Sequence, residues 1–176
     1  MIFTPTALKD ATLIDIEKRE DARGFFAREW CAEEYAQHDL DTTLAQCSIS
    51  FNHKRGTLRG MHWQAEPHGE VKVVRCTAGA IYDVIVDVRP ESPTFRKWIG
   101  VELSASNRRM LYIPKGFAHG FQTLADDTEV FYFISAFYAP DAACGARYNE
   151  PAFGIVWPLP VSVIAAKDEA WPDYQT

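Results

Sequence analysis

The chain has 176 residues, 47% hydrophobic and 13% aromatic with 24% charged, which is enough apolar material for a full core and an ordinary soluble surface. Its formal net charge of -6 excludes a general nucleic-acid binder, whose affinity comes mostly from Lys and Arg on phosphates. Cys31, Cys47, Cys76 and Cys144 lie far apart with no Cys-x-x-Cys pair, so neither a zinc site nor a redox motif is indicated and reduced thiols are expected. No composition break or flexible linker divides residues 1–176, which predicts a single domain. No basic-then-apolar leader is present and no apolar run is long enough to span a bilayer; the expected location is cytoplasmic.

In chain order, residues 11–17 alternate as a strand does, and Asp21-Ala22-Arg23-Gly24 has turn chemistry, so a hairpin or strand bend is expected there. Residues 32–38 favour a short helix, the one clear helical signal ahead of the C-terminal stretch. Short β-rich runs follow at 45–51, 57–64, 71–77, 81–88, 98–103, 110–113, 119–123 and 129–136, broken by Gly, Pro, Asn or Ser at near-regular intervals. This series predicts an all-β sandwich or barrel with closed edges, best fitted by a jelly-roll barrel with short peripheral helices. Within 81–88, Asp83 and Asp87 alternate with apolar residues, so one strand face meets the core and the other meets polar surroundings or the barrel lumen. After Pro140 the chain turns irregular, with Pro151, Pro158, Pro160 and Pro172 keeping regular structure short.

The stretch 56–75 sets Arg59, His62 and Lys72 at spacings that suit one wall of a β-pocket, with Leu58, Met61 and Trp63 between them. A base and two cations on one concave surface can take a proton from a carbon beside a carbonyl and hold the charge that forms. Each also has a plainer reading, His62 as a hydrogen-bonded structural histidine and Lys72 as an exposed strand lysine. In Ile113-Pro114-Lys115-Gly116-Phe117-Ala118-His119-Gly120-Phe121, turn geometry explains Pro and Gly but not a histidine where the strand re-enters the barrel. Tyr132 and Tyr138 are an even number apart and would share one face of a regular strand. A phenol can donate a proton at neutral pH, although tyrosines of this kind are usually core aromatics. Lys167-Asp168 offers a carboxylate able to orient His62 as a His–Asp dyad; alone it reads as a surface pair.

Taken together, Asp21-x-Arg23-Gly24-Phe25-Phe26, Leu58-Arg59-Gly60-Met61-His62-x-Gln64, Lys72, Asp87-x-Arg89, Ser92-Pro93-Thr94-Phe95, Pro114-x-Gly116-Phe117-Ala118-His119-Gly120-Phe121, Tyr132, Tyr138, Trp157-Pro158 and Lys167-Asp168 resemble the dTDP-4-dehydrorhamnose 3,5-epimerases. The match runs in order over nearly the whole chain. It implies a cupin-type double-stranded β-helix that acts on a nucleotide-linked 4-keto-6-deoxyhexose with no cofactor and no metal. By the resemblance, His62 is the base that removes the proton beside the C4 ketone, Asp168 orients it, and Tyr132 delivers a proton from the opposite face. Lys72 would steady the enolate oxygen, Arg59 and Arg23 hold the diphosphate and sugar, His119 line the sugar pocket, and Tyr138 stack on the nucleobase. Phe26, Arg28, Gln46 and Lys167 complete the implied substrate-binding set. A homodimer is implied too, with the Arg23 segment reaching into the neighbouring pocket.

Three departures stand out. Arg28 occupies the place of a family Glu, Leu44-Ala45-Gln46 is the best match to a family Gln-x-Asn, and Ala143 falls where the family has another Glu. A change from acid to Arg reverses the local field, so the expectation is that the epimerisation apparatus is retained while the nucleotide or sugar partner differs. Two alternatives remain open: a metal-dependent cupin using His62, His68, Glu70 and His119, and a 3-only epimerase or ketoisomerase on the same barrel. The metal reading has its spacing against it, because His62 and His68 are separated by Pro67 and Lys72 would place a like charge near the ion.

Overall fold

A computed structural model of the chain describes residues 1–175. Its strands are β1 (Ile2–Pro5), β2 (Thr12–Asp15), β3 (Arg19–Asp21), β4 (Gly24–Phe26), β5 (Gln46–Asn52), β6 (Leu58–Gln64), β7 (Lys72–Ala78), β8 (Ala80–Asp87), β9 (Trp98–Ser104), β10 (Met110–Ile113), β11 (Phe117–Thr123), β12 (Thr128–Ile134) and β13 (Ala143–Gly145). Helix α1 (Ala32–Gln37) lies between β4 and β5, and α2 (Ala166–Glu169) lies near the end. A six-stranded sheet runs β1-β2-β10-β7-β12-β5, a five-stranded sheet runs β13-β6-β11-β8-β9, and β3 and β4 pair as a separate hairpin. Successive strands repeatedly change sheet, as β6 to β7 and β7 to β8 do, which is the jelly-roll connectivity expected from the strand series.

Strand alternation assigns the layers. Val74 and Cys76 on β7, Leu111 and Ile113 on β10 and Val130 on β12 meet Ile81 and Ile85 on β8 and Phe117 and Phe121 on β11 between the two sheets. On the outer face of the five-stranded sheet, Val84 and Val86 pack with Met61, Phe153 and Trp157. Both faces of β8 are therefore buried, and Asp83 and Asp87 point inward with no exposure. The lumen option of the sequence reading holds for the aspartates, while the opposite face is covered by the irregular stretch after β13. The outer face of the six-stranded sheet takes the fully buried Tyr35 of α1 onto Ile14, Val73 and Met110.

Glu33 and Glu34 in the first turn of α1 favour its positive N-terminal end, and Asp39 at a φ of 57° follows its end. Residues 32–38 thus form the helix that was predicted, and the predicted strands all appear with ends moved by a residue or two. Strands β1 and β13 and helix α2 were not singled out; at three or four residues each, they are too short to carry a readable period. The buried Asp87 accepts hydrogen bonds from Arg89 at 2.9 Å and Thr94 at 2.6 Å. That gives the Asp87-x-Arg89 and Ser92-Pro93-Thr94 motifs a structural role, pinning the β8–β9 connection.

Candidate active site

The sandwich opens into a cavity of about 450 Å³, a size typical of small-molecule sites. The five-stranded sheet contributes Leu58, Arg59 and His62 from β6 and His119, Gly120 and Phe121 from β11; the six-stranded sheet contributes Ser48 and Ser50 from β5, Lys72 from β7, and Tyr132 and Ile134 from β12. Val163, Ile164, Ala165, Lys167 and Asp168 close one side. His62 and Tyr132 therefore stand on opposite walls of one cavity. Lys72 shares the Tyr132 wall, which corrects the expectation that it lies beside Arg59 and His62: β6 and β7 belong to different sheets.

Strict alternation would point Arg59 and His62 to opposite faces of β6. A bulge removes the conflict, because His119 pairs with His62 and Phe121 with Arg59, so β6 spends one more residue than β11 over that span. Gly60 sits in the bulge at a φ of 121°, and a Cβ there would lie 2.5 Å from Gly120 Cα and 2.8 Å from the His119 carbonyl oxygen. Only glycine fits. Arg59 is then steadied by its Nε donating to Asn52 Oδ1 at 2.7 Å.

His62 Nε2 lies 2.7 Å from Asp168 Oδ1. The buried carboxylate also accepts from the Gly60 N–H at 3.4 Å, and Nδ1 of His62 is left as the ring nitrogen free to exchange a proton. Burial pulls the His62 pKa below its ordinary value; the hydrogen bond and charge of Asp168 oppose this, and the charges of Lys72 and Lys167 add to the lowering. The imidazole is neutral, and available as a base, at neutral pH. Burial first and the Asp83 charge second push the Tyr132 phenol well above the ordinary tyrosine range, with Arg59 opposing, so Tyr132 keeps its proton to donate. Lys72 Nζ is paired with Glu70 Oε1 at 2.8 Å.

A second imidazole–carboxylate pair was missed. His119 Nε2 lies 2.7 Å from Oδ1 of the fully buried Asp83, directly across the ladder from His62. Its signal was a carboxylate inside the otherwise apolar β8, since a buried charge needs a partner. Ser48, Ser50 and the 163–165 segment were also missed, small or apolar residues that carry no mark of a site.

Arg59, His62, Lys72, His119, Tyr132, Lys167 and Asp168 are thus brought together, whereas Arg23, Phe26, Arg28, Gln46 and Tyr138 lie outside the cavity. Arg23 is 90% exposed at the β3–β4 turn and pairs with Asp21. Phe26 is 70% exposed, and Gln46 begins β5. Tyr138 does not share a face with Tyr132, because β12 stops at Ile134 and Tyr138 is 66% exposed beyond it. Arg28 Nη1 donates to Glu34 Oε1 at 2.7 Å in a separate cleft, so within this chain the acid-to-Arg change does not reverse the field of the cavity. The proposed metal quartet is not assembled either. His62 and His119 each give Nε2 to an aspartate, Glu70 holds Lys72, and His68 lines a separate cleft with Glu66 and Pro140.

The model of the dTDP-4-dehydrorhamnose 3,5-epimerase family matches residues 5–176. The chain belongs to that family. It is accordingly an isomerase-class epimerase on a cupin-type jelly roll. A dTDP-4-dehydrorhamnose 3,5-epimerase of Sinorhizobium fredii is 40% identical over 98% of this chain and 89% of its own length. The crystal structure of the Elizabethkingia anophelis epimerase superposes with a TM-score of 0.96 at 34% identity, covering 99% of this chain and 96% of that one. The Bacillus anthracis epimerase, solved with TDP and PPi bound, gives 0.94 at 37% identity over 98% and 99%.

Proposed function

We propose that the protein inverts C3 and C5 of a dTDP-linked 4-keto-6-deoxyhexose, without cofactor, as a step of deoxysugar biosynthesis. The observation that carries this reading is a carboxylate-held imidazole and a protonated phenol on opposite walls of one cavity. The C4 ketone acidifies the hydrogens on its neighbouring carbons. His62 Nδ1 takes one of them, the electron pair moves onto the C4 oxygen, and Lys72 holds the charge. Tyr132 then gives its proton to the carbon from the other face as the C4 carbonyl re-forms, which inverts the centre; His62 passes its proton to solvent and solvent returns one to the phenolate. Arg59 at the mouth meets the diphosphate, and His119 and Lys167 line the sugar. A TDP complex in a relative of this similarity supports the thymidine nucleotide over CDP or GDP.

Two features support a homodimer. Phe25 and Phe26 project on the β3–β4 hairpin with Arg23 at its turn, and Ile49 and Phe51 on the outer face of the edge strand β5 are exposed; a second copy would cover such apolar surface. In that arrangement Arg23 and Phe26 complete the neighbour's pocket and Tyr138 stacks on the base. No helix among the described residues is long and apolar enough to cross a membrane, and all four cysteines are free thiols, as a cytoplasmic enzyme would have them.

Turnover with dTDP-, CDP- and GDP-linked 4-keto-6-deoxyhexoses tests the substrate, with preference for the dTDP sugar expected; preference for another nucleotide would refute that part. The acid limb of kcat/KM is expected below the ordinary histidine value of 6.5. A base works unprotonated, so lowering its pKa extends activity to lower pH, and a limb above that value would contradict His62 as the base. Tyr132→Phe is expected to reduce net inversion by on the order of 10²-fold while hydrogen exchange driven by His62 persists. Equal loss of exchange and inversion would remove Tyr132 from the donor role.

A further inference from the structure

Residues 171–174 pack against the outside of the sheet that carries His62. Helix α2 is four residues long, too short to persist on its own hydrogen bonds, yet it delivers the buried Asp168 to His62. Ahead of it, the Leu58 N–H donates to the Val163 carbonyl at 2.8 Å. Behind it, Trp171 lies so close on Gly145 that any Cβ there would overlap the indole. Gly145 is the β13 residue paired with His62 itself. Asp173 then ion-pairs with Arg147. The Tyr174 N–H donates to the buried Glu150 at 3.0 Å, with its ring 4.8 Å from Phe153 and 6.2 Å from Trp63, centroid to centroid.

We propose that Trp171 is a positioning residue for the His62–Asp168 pair: seated on the ladder partner of His62, it sets where α2 presents the carboxylate. The indole Nε1 is buried and makes no hydrogen bond, so shape rather than polarity fixes the ring. Trp171 follows the α2 C-cap, Ala170, directly and stands three residues after Asp168, so the register of Trp171 on Gly145 is also the register of Asp168 on His62. Removing the indole frees the rear end of α2, and the carboxylate draws away from the imidazole.

The groups around His62 decide the sign of the effect. Asp168 from α2 favours the protonated ring; Lys72 from β7 and Lys167 from α2 oppose it, as burial does. Arg59 on the same strand adds positive charge at the cavity, while His119 across the ladder already holds Asp83, and Tyr132 on the far wall is uncharged. Withdrawing Asp168 leaves the opposing groups in place, so His62 titrates at lower pH and becomes a weaker base. This bears on turnover only through the role proposed above for His62, but the titration of the ring does not depend on that role.

NMR titration of the His62 imidazole in the unliganded full chain tests it, the signal being assigned by its loss in His62→Gln. Trp171→Ala is expected to move the His62 pKa down and to lower kcat by about tenfold or more with KM little changed, while Trp171→Phe keeps both near wild type. An unmoved His62 titration in folded Trp171→Ala overturns the proposal. Should Trp171→Ala fail to fold, Gly145→Ala, which keeps the indole but displaces it, is expected to give the same downward move, and an unmoved titration there overturns it equally. A shifted titration in an enzyme whose wild type turns over no 4-keto sugar would count against the proposed function and leave the positioning role standing.

Discussion

Replacing His62 with alanine is expected to lower kcat on a dTDP-4-keto-6-deoxyhexose by on the order of 10²–10⁴ while leaving KM close to wild type. The imidazole is the more open of the two on its wall: its side chain is 37% exposed against 6% for His119, which is held by its own aspartate, and Arg59 is a cation. The lost interaction belongs to proton transfer and not to ground-state binding, which Arg59, His119 and Lys167 would still supply. Removing the ring also leaves the Asp168 carboxylate buried with, among the described residues, only the Gly60 N–H as a partner, which is expected to cost about 1–3 kcal/mol of stability. Circular dichroism and thermal melts alongside the kinetics separate the two effects. A folded His62→Ala enzyme with wild-type kcat would remove His62 from catalysis.

Gly60→Ala is expected to be the most damaging small substitution in the fold. At a φ of 121° a side chain strains the backbone, and the new Cβ would meet the backbone of β11 at Gly120 and His119. Strain in that region is worth about 1–3 kcal/mol; with a backbone collision added, a loss near the top of that range is expected. For a chain of this size about 3 kcal/mol lowers Tm by roughly 6–12 °C. Because the bulge is what turns Arg59 and His62 to the same side, activity should fall further than the fraction unfolded explains. A variant that melts like wild type would show that the bulge relaxes without consequence. One that is destabilised but fully active per folded molecule would show that the shared face of Arg59 and His62 does not need it.

The strands were legible because most have at least one face on an apolar layer, as in residues 110–113, whose limits agree with β10. The bulge was not legible. Alternation alone would have separated Arg59 from His62, and only the glycine between them hinted that the count slips by one. The wall of Lys72 was hidden for a different reason: strands adjacent in sequence need not be adjacent in space, and a jelly roll sends β6 and β7 to opposite sheets. Tyr138 lies beyond the end of β12 at Ile134, past a bend at Ser135 and Ala136 that carries the chain out of the strand. The Asp83–His119 pair needed the β8–β11 ladder to be known first, and the seat of Trp171 on Gly145 has no local pattern at all. His62, Asp168, Tyr132 and Lys72 were named because multi-residue motifs carried them.

Proton exchange is the most direct test of the site. In heavy water with the dTDP-linked 4-keto-6-deoxyhexose, followed by NMR, wild-type protein is expected to place deuterium at both C3 and C5, and His62→Ala at neither at a comparable rate. Label at one carbon alone would narrow the reaction to a single centre. Absence of label with wild type, or equal labelling by His62→Ala, would contradict a proton-abstracting imidazole in this cavity.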